Sequence, residues 1–136
     1  MIRLLIGVLL LAVTAMPASA RYPGWWRGSL PACTAPEVLS RVQQKIAYGS
    51  PRVLGYNLAI EQFETISDGT AQRGKGFIDR RYCTAKAWLT NGKRSEVVFL
   101  IESGQGFASV GWNVESCLPG YDRWRVHDGW CRSIRP

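Results

Sequence analysis

The carboxyl-terminal residues of this chain combine aromatic rings with basic side chains at close spacing. The interleaved residues are Tyr121, Arg123, Trp124, Arg125, His127, Trp130 and Arg132. Aromatic faces stack on sugars, bases and cations, and guanidinium groups clamp carboxylates and phosphates. We therefore expect these residues to form a binding surface for an anionic or sugar-bearing ligand. The alternative is that the rings only cover the domain.

A second aromatic and basic cluster lies in residues 21–29. Trp25 and Trp26 stand beside Arg27, and Pro23 and Gly24 exclude a regular element there. Rings on an irregular arm must either pack onto the domain or contact a partner. We include Trp25, Trp26 and Arg27 in the predicted ligand-binding set.

Catalytic chemistry finds little support in the residue pattern. His127 is the single histidine and precedes Asp128, but adjacent residues on an extended chain point to opposite sides and are badly placed to orient one another. The sequence has no G-x-S-x-G nucleophile elbow and no C-x-x-C pair to support a zinc site. We expect no catalytic residue, metal or cofactor, and keep a small hydrolase as the third functional hypothesis.

The first residues predict export. Met1–Arg3 is a short cationic start, residues 4–13 are an apolar run, and residues 18–20 supply a small-residue cleavage pattern. We predict a signal peptide over residues 1–20, cleavage after Ala20, and a periplasmic or secreted location. Residues 21–136 suffice for one domain with a single core, and no later apolar run is long enough to span a bilayer.

The charge of the chain indicates its class of partner. The net charge is +7, and Arg3 contributes one unit of it, so the predicted mature protein remains basic at +6. A basic surface attracts anionic partners. Outside the cytoplasm these are an anionic glycan, another cell-envelope component or an envelope protein. Nucleic acid is scarce there and is not expected.

One helix is predicted, from about Ala35 to Tyr48. Thr34 and Glu37 match a capping box. Apolar residues recur at helical spacing on one face, and Gly49 is typical of a helix end. The apolar face must be buried against the sheet.

Four strands are predicted, joined as an antiparallel meander. The first covers about residues 54–62 and ends or bulges near Gln62, after which residues 67–76 form a loop. Asn91-Gly92 predicts a two-residue type I′ hairpin turn. Gly104-Gln105 predicts a second two-residue turn.

The register that follows from these turns selects one face of the sheet as the core. It pairs Trp88 with Ser95 and Arg81 with Glu102. The core face is expected to hold Tyr82, Trp88, Val97, Phe99, Ile101, Ala108, Val110, Trp112 and Val114. The opposite face is expected to hold Ala85, Ala87, Val98, Leu100 and Phe107. Since this second face is apolar, either the Trp-rich termini cover it or it is an interaction surface.

Four cysteines in an exported chain predict two disulfide bonds. In the predicted register Cys83 and Cys117 lie at opposite ends of the sheet, about 30 Å apart, which excludes a bond between them. The favoured pairing is Cys33–Cys83 with Cys117–Cys131. The pairing Cys33–Cys117 with Cys83–Cys131 remains open.

Three stretches carry a resemblance: YPGWW in the amino-terminal arm, FIDRRYCTAKAWLTNG along the second predicted strand, and YDRWRVHDGWC in the tail. With them the chain resembles a family of small exported, periplasmic alphaproteobacterial proteins for which no activity is known. The resemblance implies a periplasmic bacterial origin and no functional residue. One helix against a meander is also similar to cystatin-type architecture, and folds of this kind host inhibitors, binding modules and enzymes.

These patterns predict an α+β domain in which one N-terminal helix packs on a four-stranded antiparallel sheet held by two disulfides. The leading functional hypothesis is a non-catalytic periplasmic or secreted protein that binds an anionic or sugar-bearing envelope ligand. The alternative is a structural or inhibitory partner of another envelope protein that uses the apolar sheet face.

Overall fold

The computed structural model describes residues 30–72 and 78–136, apart from the side chain of Thr70. They form one α-helix and four strands: α1 (Pro36–Leu54), β1 (Ile60–Gln72), β2 (Arg80–Leu89), β3 (Arg94–Ser103) and β4 (Trp112–Cys117). The strands make one antiparallel sheet in the order β1-β2-β3-β4. The predicted α+β class, with one helix, a four-stranded meander and two disulfides, is confirmed.

The predicted signal peptide, residues 1–20, lies outside the described residues. In the part of the chain that the structure describes, no helix combines the length and the apolar character needed to cross a membrane.

Both ends of α1 differ from the prediction. Ala35 is the N-cap, with ψ of 130°, because a residue that precedes proline is driven out of the helical region. Within the described residues no side chain caps this end, so the capping box of Thr34 and Glu37 is not formed. The helix continues through Gly49 and ends at Gly55, whose φ of 80° lies in the left-handed region.

Pro51 lies inside α1 without ending it. Proline has no N–H to donate to the carbonyl of Ala47, four residues earlier. The Ser50 hydroxyl donates to that carbonyl at 3.3 Å, and its oxygen accepts the N–H of Leu58 at 2.9 Å. The buried Ser50 side chain therefore supplies the hydrogen bond that the Ala47 carbonyl would otherwise lack, and it fixes the backbone at Leu58, just before β1.

β1 begins later and ends later than predicted, because Leu54 still belongs to α1 and the strand starts at Ile60. Its pairing with β2 shifts near Gln62, which confirms the predicted bulge. The strand then continues to Gln72, so the loop predicted over residues 67–76 is wrong for its first half. Gly69 permits this close pairing, because a Cβ at that position would overlap the Tyr82 carbonyl oxygen of β2.

The β2–β3 hairpin closes through three residues instead of the predicted two. The N–H of Gly92 donates to the Leu89 carbonyl, and the Leu89 N–H donates to the Lys93 carbonyl. Of the three loop residues only Gly92 has a positive φ, 74°, as in a type I turn followed by a left-handed residue. The register therefore shifts by one, and Trp88 pairs with Arg94.

This shift exchanges the two faces of β2. Ala85 and Ala87 point into the core with the inward residues of β3. Tyr82 and Trp88, predicted to be core residues, belong to the other face, where Trp88 is partly exposed. The core decides this, because the predicted register would have placed Lys86 inside, whereas in the structure Lys86 is exposed.

The connection from β3 to β4 is also longer than predicted. It spans residues 104–111 and pairs Ile101 with Val114 in place of Ala108. Ala108 and Val110 are therefore exposed loop residues, contrary to the prediction. Val114 is fully buried on the core face, as predicted.

The sheet separates two apolar clusters. In the inner cluster Val38 and Val42 pack α1 onto the sheet. The outer cluster consists of Val98, Leu100, Cys117, Cys131 and Ile134. The carboxyl-terminal segment, residues 118–136, therefore covers the second apolar face at β3. This agrees with the predicted alternative in which a chain terminus covers that face.

Both disulfides of the favoured pairing are present, Cys33–Cys83 and Cys117–Cys131. A Cys83–Cys117 bond is absent, as predicted, but the predicted separation of about 30 Å is wrong. Cys83 pairs opposite Phe99 and Cys117 opposite Val98, so the two cysteines are only about 10 Å apart across two strand spacings. This distance still exceeds the limit of about 7 Å for a disulfide, and the side chains also diverge, because Cys83 points into the inner cluster and Cys117 into the outer one.

Candidate ligand-binding site

The carboxyl-terminal segment is fixed to the sheet on both sides of its aromatic part. The Cys117–Cys131 bond joins it to β4. Beyond that bond, Arg135 donates to both carboxylate oxygens of Glu96 on β3, at 3.1 and 2.7 Å, and to the Trp130 carbonyl at 3.1 Å. The hydrogen bond to Glu96 raises the pKa of Arg135. The segment is therefore a fixed part of the domain.

The carboxylate of Asp122 organises the turn that carries Trp124. Its two oxygens accept the N–H groups of Val126 and His127 at 2.9 and 2.8 Å. The Arg125 N–H donates to the Asp122 carbonyl at 3.0 Å. Arg125 has a φ of 53°, a conformation that a non-glycine residue keeps only where its surroundings impose it.

Asp128 holds the next turn. Its carboxylate accepts the Gly129 N–H at 2.7 Å and two guanidinium N–H groups of Arg132 at 3.0 and 2.7 Å. The hydrogen bond from Arg132 is the largest cause that lowers the pKa of Asp128, followed by the Gly129 N–H. The carboxylate thus serves the 3-10 turn Gly129–Ile134 and forms no hydrogen bond with the described atoms of the His127 ring.

These contacts leave a group of exposed aromatic, apolar and basic side chains. Trp124, Val126 and Trp130 are 65%, 66% and 76% exposed. Arg123 and Arg125 are also exposed, and neither forms an ion pair with any carboxylate in residues 30–72 or 78–136. We call these five residues the tail surface.

The other predicted site residues have different environments. Tyr121 is half-buried against the inner cluster, and its hydroxyl accepts a hydrogen bond from Asn91 at 3.4 Å. Arg132 is exposed but ion-paired with Asp128. His127 is half-buried. Three predicted residues lie outside the described part of the chain: Trp25, Trp26 and Arg27.

A cleft of about 180 Å³ lies beside the tail surface, between α1 and the carboxyl-terminal segment. We call it the α1 cleft. Its apolar lining comes from Ile46, Val53, Leu54, Leu58, Leu118 and Val126. Its polar lining includes Lys45, Ser50, Ser116, Asp122 and His127. The cleft is not predicted from the sequence, because Gly49, which lines it, was expected to end the helix.

One group of possible metal ligands comes together among the described residues: Cys33, Asp68 and Cys83. Both sulfurs belong to the disulfide. The Asp68 carboxylate accepts hydrogen bonds from Arg81 and from the Cys33 N–H. The group therefore offers one carboxylate that is already partnered, and it does not form a metal site.

Comparison of the chain with protein-family models, with curated proteins and with solved structures finds no match.

Proposed function

We propose that this protein is a non-catalytic binding protein of the periplasm or the extracellular space, and that its tail surface binds an anionic or sugar-bearing ligand of the cell envelope. The observation that carries this proposal is the exposure of Trp124 and Trp130 on a backbone held by a disulfide and by the carboxylates of Asp122 and Asp128. A surface that is ordered before binding loses less entropy when its ligand arrives.

The charges of the tail surface support the anionic half of the proposal. Arg123 and Arg125 flank Trp124 and form no ion pair with a described carboxylate, so their guanidinium groups are available to a carboxylate or phosphate. Trp and Arg are also the residues most often found at the energetic centres of binding surfaces. The positive net charge, +7 for the full chain and +6 without the predicted signal peptide, adds a general attraction to anionic polymers.

Retention of the purified protein on peptidoglycan, lipopolysaccharide or a glycan array tests the proposal. Trp124→Ala and Arg125→Ala should each weaken retention at least tenfold. Phe107→Ala and Arg41→Ala are matched controls, because they remove an exposed ring and an exposed guanidinium away from the tail surface. If the two tail variants bind as well as the unsubstituted protein, the tail surface is not the binding site.

A second candidate function is that of a structural or inhibitory partner of another envelope protein. The apolar sheet face that suggested this hypothesis is covered at β3 by the carboxyl-terminal segment. A different observation now favours it: Phe107 is 97% exposed and Val110 is 44% exposed on one loop, which the Gly104 N–H closes by donating to the Gly111 carbonyl. Copurification of a stoichiometric envelope protein that Phe107→Ala abolishes and Trp124→Ala preserves would favour this role over the first.

A further inference from the structure

Gly49 is a glycine in the interior of α1 that packing within the chain does not explain. Glycine weakens a helix relative to alanine, because it has more backbone freedom to lose. No atom in the described part of the protein lies within 4 Å of the position that a Cβ of Gly49 would occupy, apart from the helix backbone and neighbouring residues. Gly49 lines the α1 cleft. Gly49 therefore contributes bare backbone to the cleft wall, with open space where a side chain would begin.

The size and lining of the α1 cleft suit a small apolar group. Its volume is about 180 Å³, and an apolar cavity of about 150 Å³ is known to accept benzene. One side consists of Ile46, Val53 and Leu54 of α1, and the other includes Leu118 and Val126. A short alkyl chain or a single ring would bury its surface against these side chains.

Among the described residues, the acidic side chains beside the cleft accept hydrogen bonds, although Asp122 keeps its negative charge because its partners are neutral N–H groups. Both oxygens of Asp122 accept backbone N–H groups. Glu115 accepts hydrogen bonds from Lys45 at 3.0 Å and from Asn113 at 3.2 Å. Arg125, by contrast, forms no ion pair or side-chain hydrogen bond with a described carboxylate, although, after the hydrogen bond from Arg132, its charge helps to lower the pKa of Asp128. It directly precedes Val126, which lines the cleft.

We propose that the α1 cleft binds the alkyl chain of a free single-chain amphiphile whose anionic head lies on Arg123 and Arg125. The position of the head group rests on the proposed function of the tail surface. The occupation of the cleft by the chain does not, since Gly49 and the apolar lining are its basis.

The test is an NMR titration of the ¹⁵N-labelled protein with monomeric octyl phosphate. Octyl glucoside supplies the same chain on a neutral head, and inorganic phosphate supplies the head alone. We expect octyl phosphate to shift the amide signals of Gly49, Ser116 and Val126, octyl glucoside to shift the same signals with weaker affinity, and inorganic phosphate to leave Gly49 and Ser116 unmoved. This map needs no substitution.

Gly49→Leu should fill the cleft while raising helix propensity. We expect its affinity for octyl phosphate to fall at least tenfold and its unfolding temperature to stay at or above that of the parent. Ala47→Leu is the matched control, since it adds the same side chain at an exposed position of α1, and its affinity should change less than twofold. A double variant with Arg123→Ala and Arg125→Ala should lose the preference for octyl phosphate over octyl glucoside and keep the binding of octyl glucoside.

Three results would overturn the proposal. The first is unchanged octyl phosphate affinity in a folded Gly49→Leu protein. The second is a set of shifts confined to Trp124 and Trp130. The third is binding that arises only after Trp25→Ala and Trp26→Ala, which would identify the chain's own arm as the occupant. The two proposals can also fail separately. If the tail variants keep glycan retention while octyl glucoside still binds in the cleft, the proposed function is contradicted and the cleft site remains supported.

Discussion

Ser50→Ala tests how the helix and the first strand are joined beside the α1 cleft. The substitution removes the acceptor for the Leu58 N–H and the donor for the Ala47 carbonyl. Leu58 is buried, and an unsatisfied buried N–H costs about 1–3 kcal/mol. Ala47 is exposed, so water can hydrate its carbonyl at little cost. We expect a loss of about 2 kcal/mol, nearly all of it from Leu58.

Urea unfolding followed by tryptophan fluorescence measures this loss as a lower midpoint with an unchanged slope. Ser40→Ala is the matched control, since Ser40 is an exposed helix residue, and it should change stability by less than about 0.5 kcal/mol. In a Pro51→Ala background, residue 51 regains an N–H for the Ala47 carbonyl. The cost of Ser50→Ala should remain about 2 kcal/mol there, if Leu58 carries it. A loss below about 0.5 kcal/mol in the native background would refute the argument.

The carboxyl-terminal segment and the loop before β4 can be tested in the same way. The hydrogen bond from Arg132 lowers the pKa of Asp128. The stabilisation from this contact is therefore complete above the ordinary Asp value of about 3.9 and is lost as the pH falls through the lowered pKa. An NMR titration of the Asp128 carboxyl carbon measures this pKa, and a midpoint above about 4 would contradict the prediction. Replacing Cys117 and Cys131 by alanine, which opens a loop of sequence separation 14, should cost about 3 kcal/mol in chemical unfolding, and a loss under about 1 kcal/mol would speak against that estimate. Phe107→Ala should change stability by less than about 0.5 kcal/mol, because the ring is 97% exposed; a larger loss would show that the ring packs.

The sequence predicts the elements of this fold better than their register. The apolar face of α1 and the bulge near Gln62 leave local signals, and both are confirmed. The favoured disulfide pairing is also confirmed, although the predicted distance behind it is wrong. The length of the Asn91-Gly92 loop leaves no local signal, because two-residue and three-residue hairpin loops both use such a pair. The register between β2 and β3 decides whether Lys86 or Ala85 faces the core. The free-energy difference between these two arrangements arises only when the strands pair.

The candidate site shows the same division between local and long-range information. Composition identifies the aromatic and basic tail, but it does not tell which arginines remain available. Arg132 and Arg135 are occupied by Asp128 and by Glu96 of β3. The α1 cleft is harder still to predict, because it exists only if the helix continues past Gly49, where Ser50 contacts Leu58.

The order of the cysteines along the chain bears on how the protein is oxidised. Four cysteines allow three pairings, and this fold uses the one in which each bond joins consecutive cysteines. A chain that enters an oxidising compartment amino-terminus first presents Cys83 while Cys33 is its only available partner. When Cys131 enters, Cys117 alone is left. If the chain is exported amino-terminus first, as the proposed function requires, this order leads directly to the native bonds, and we expect oxidation to proceed without the slow reshuffling that an isomerase catalyses.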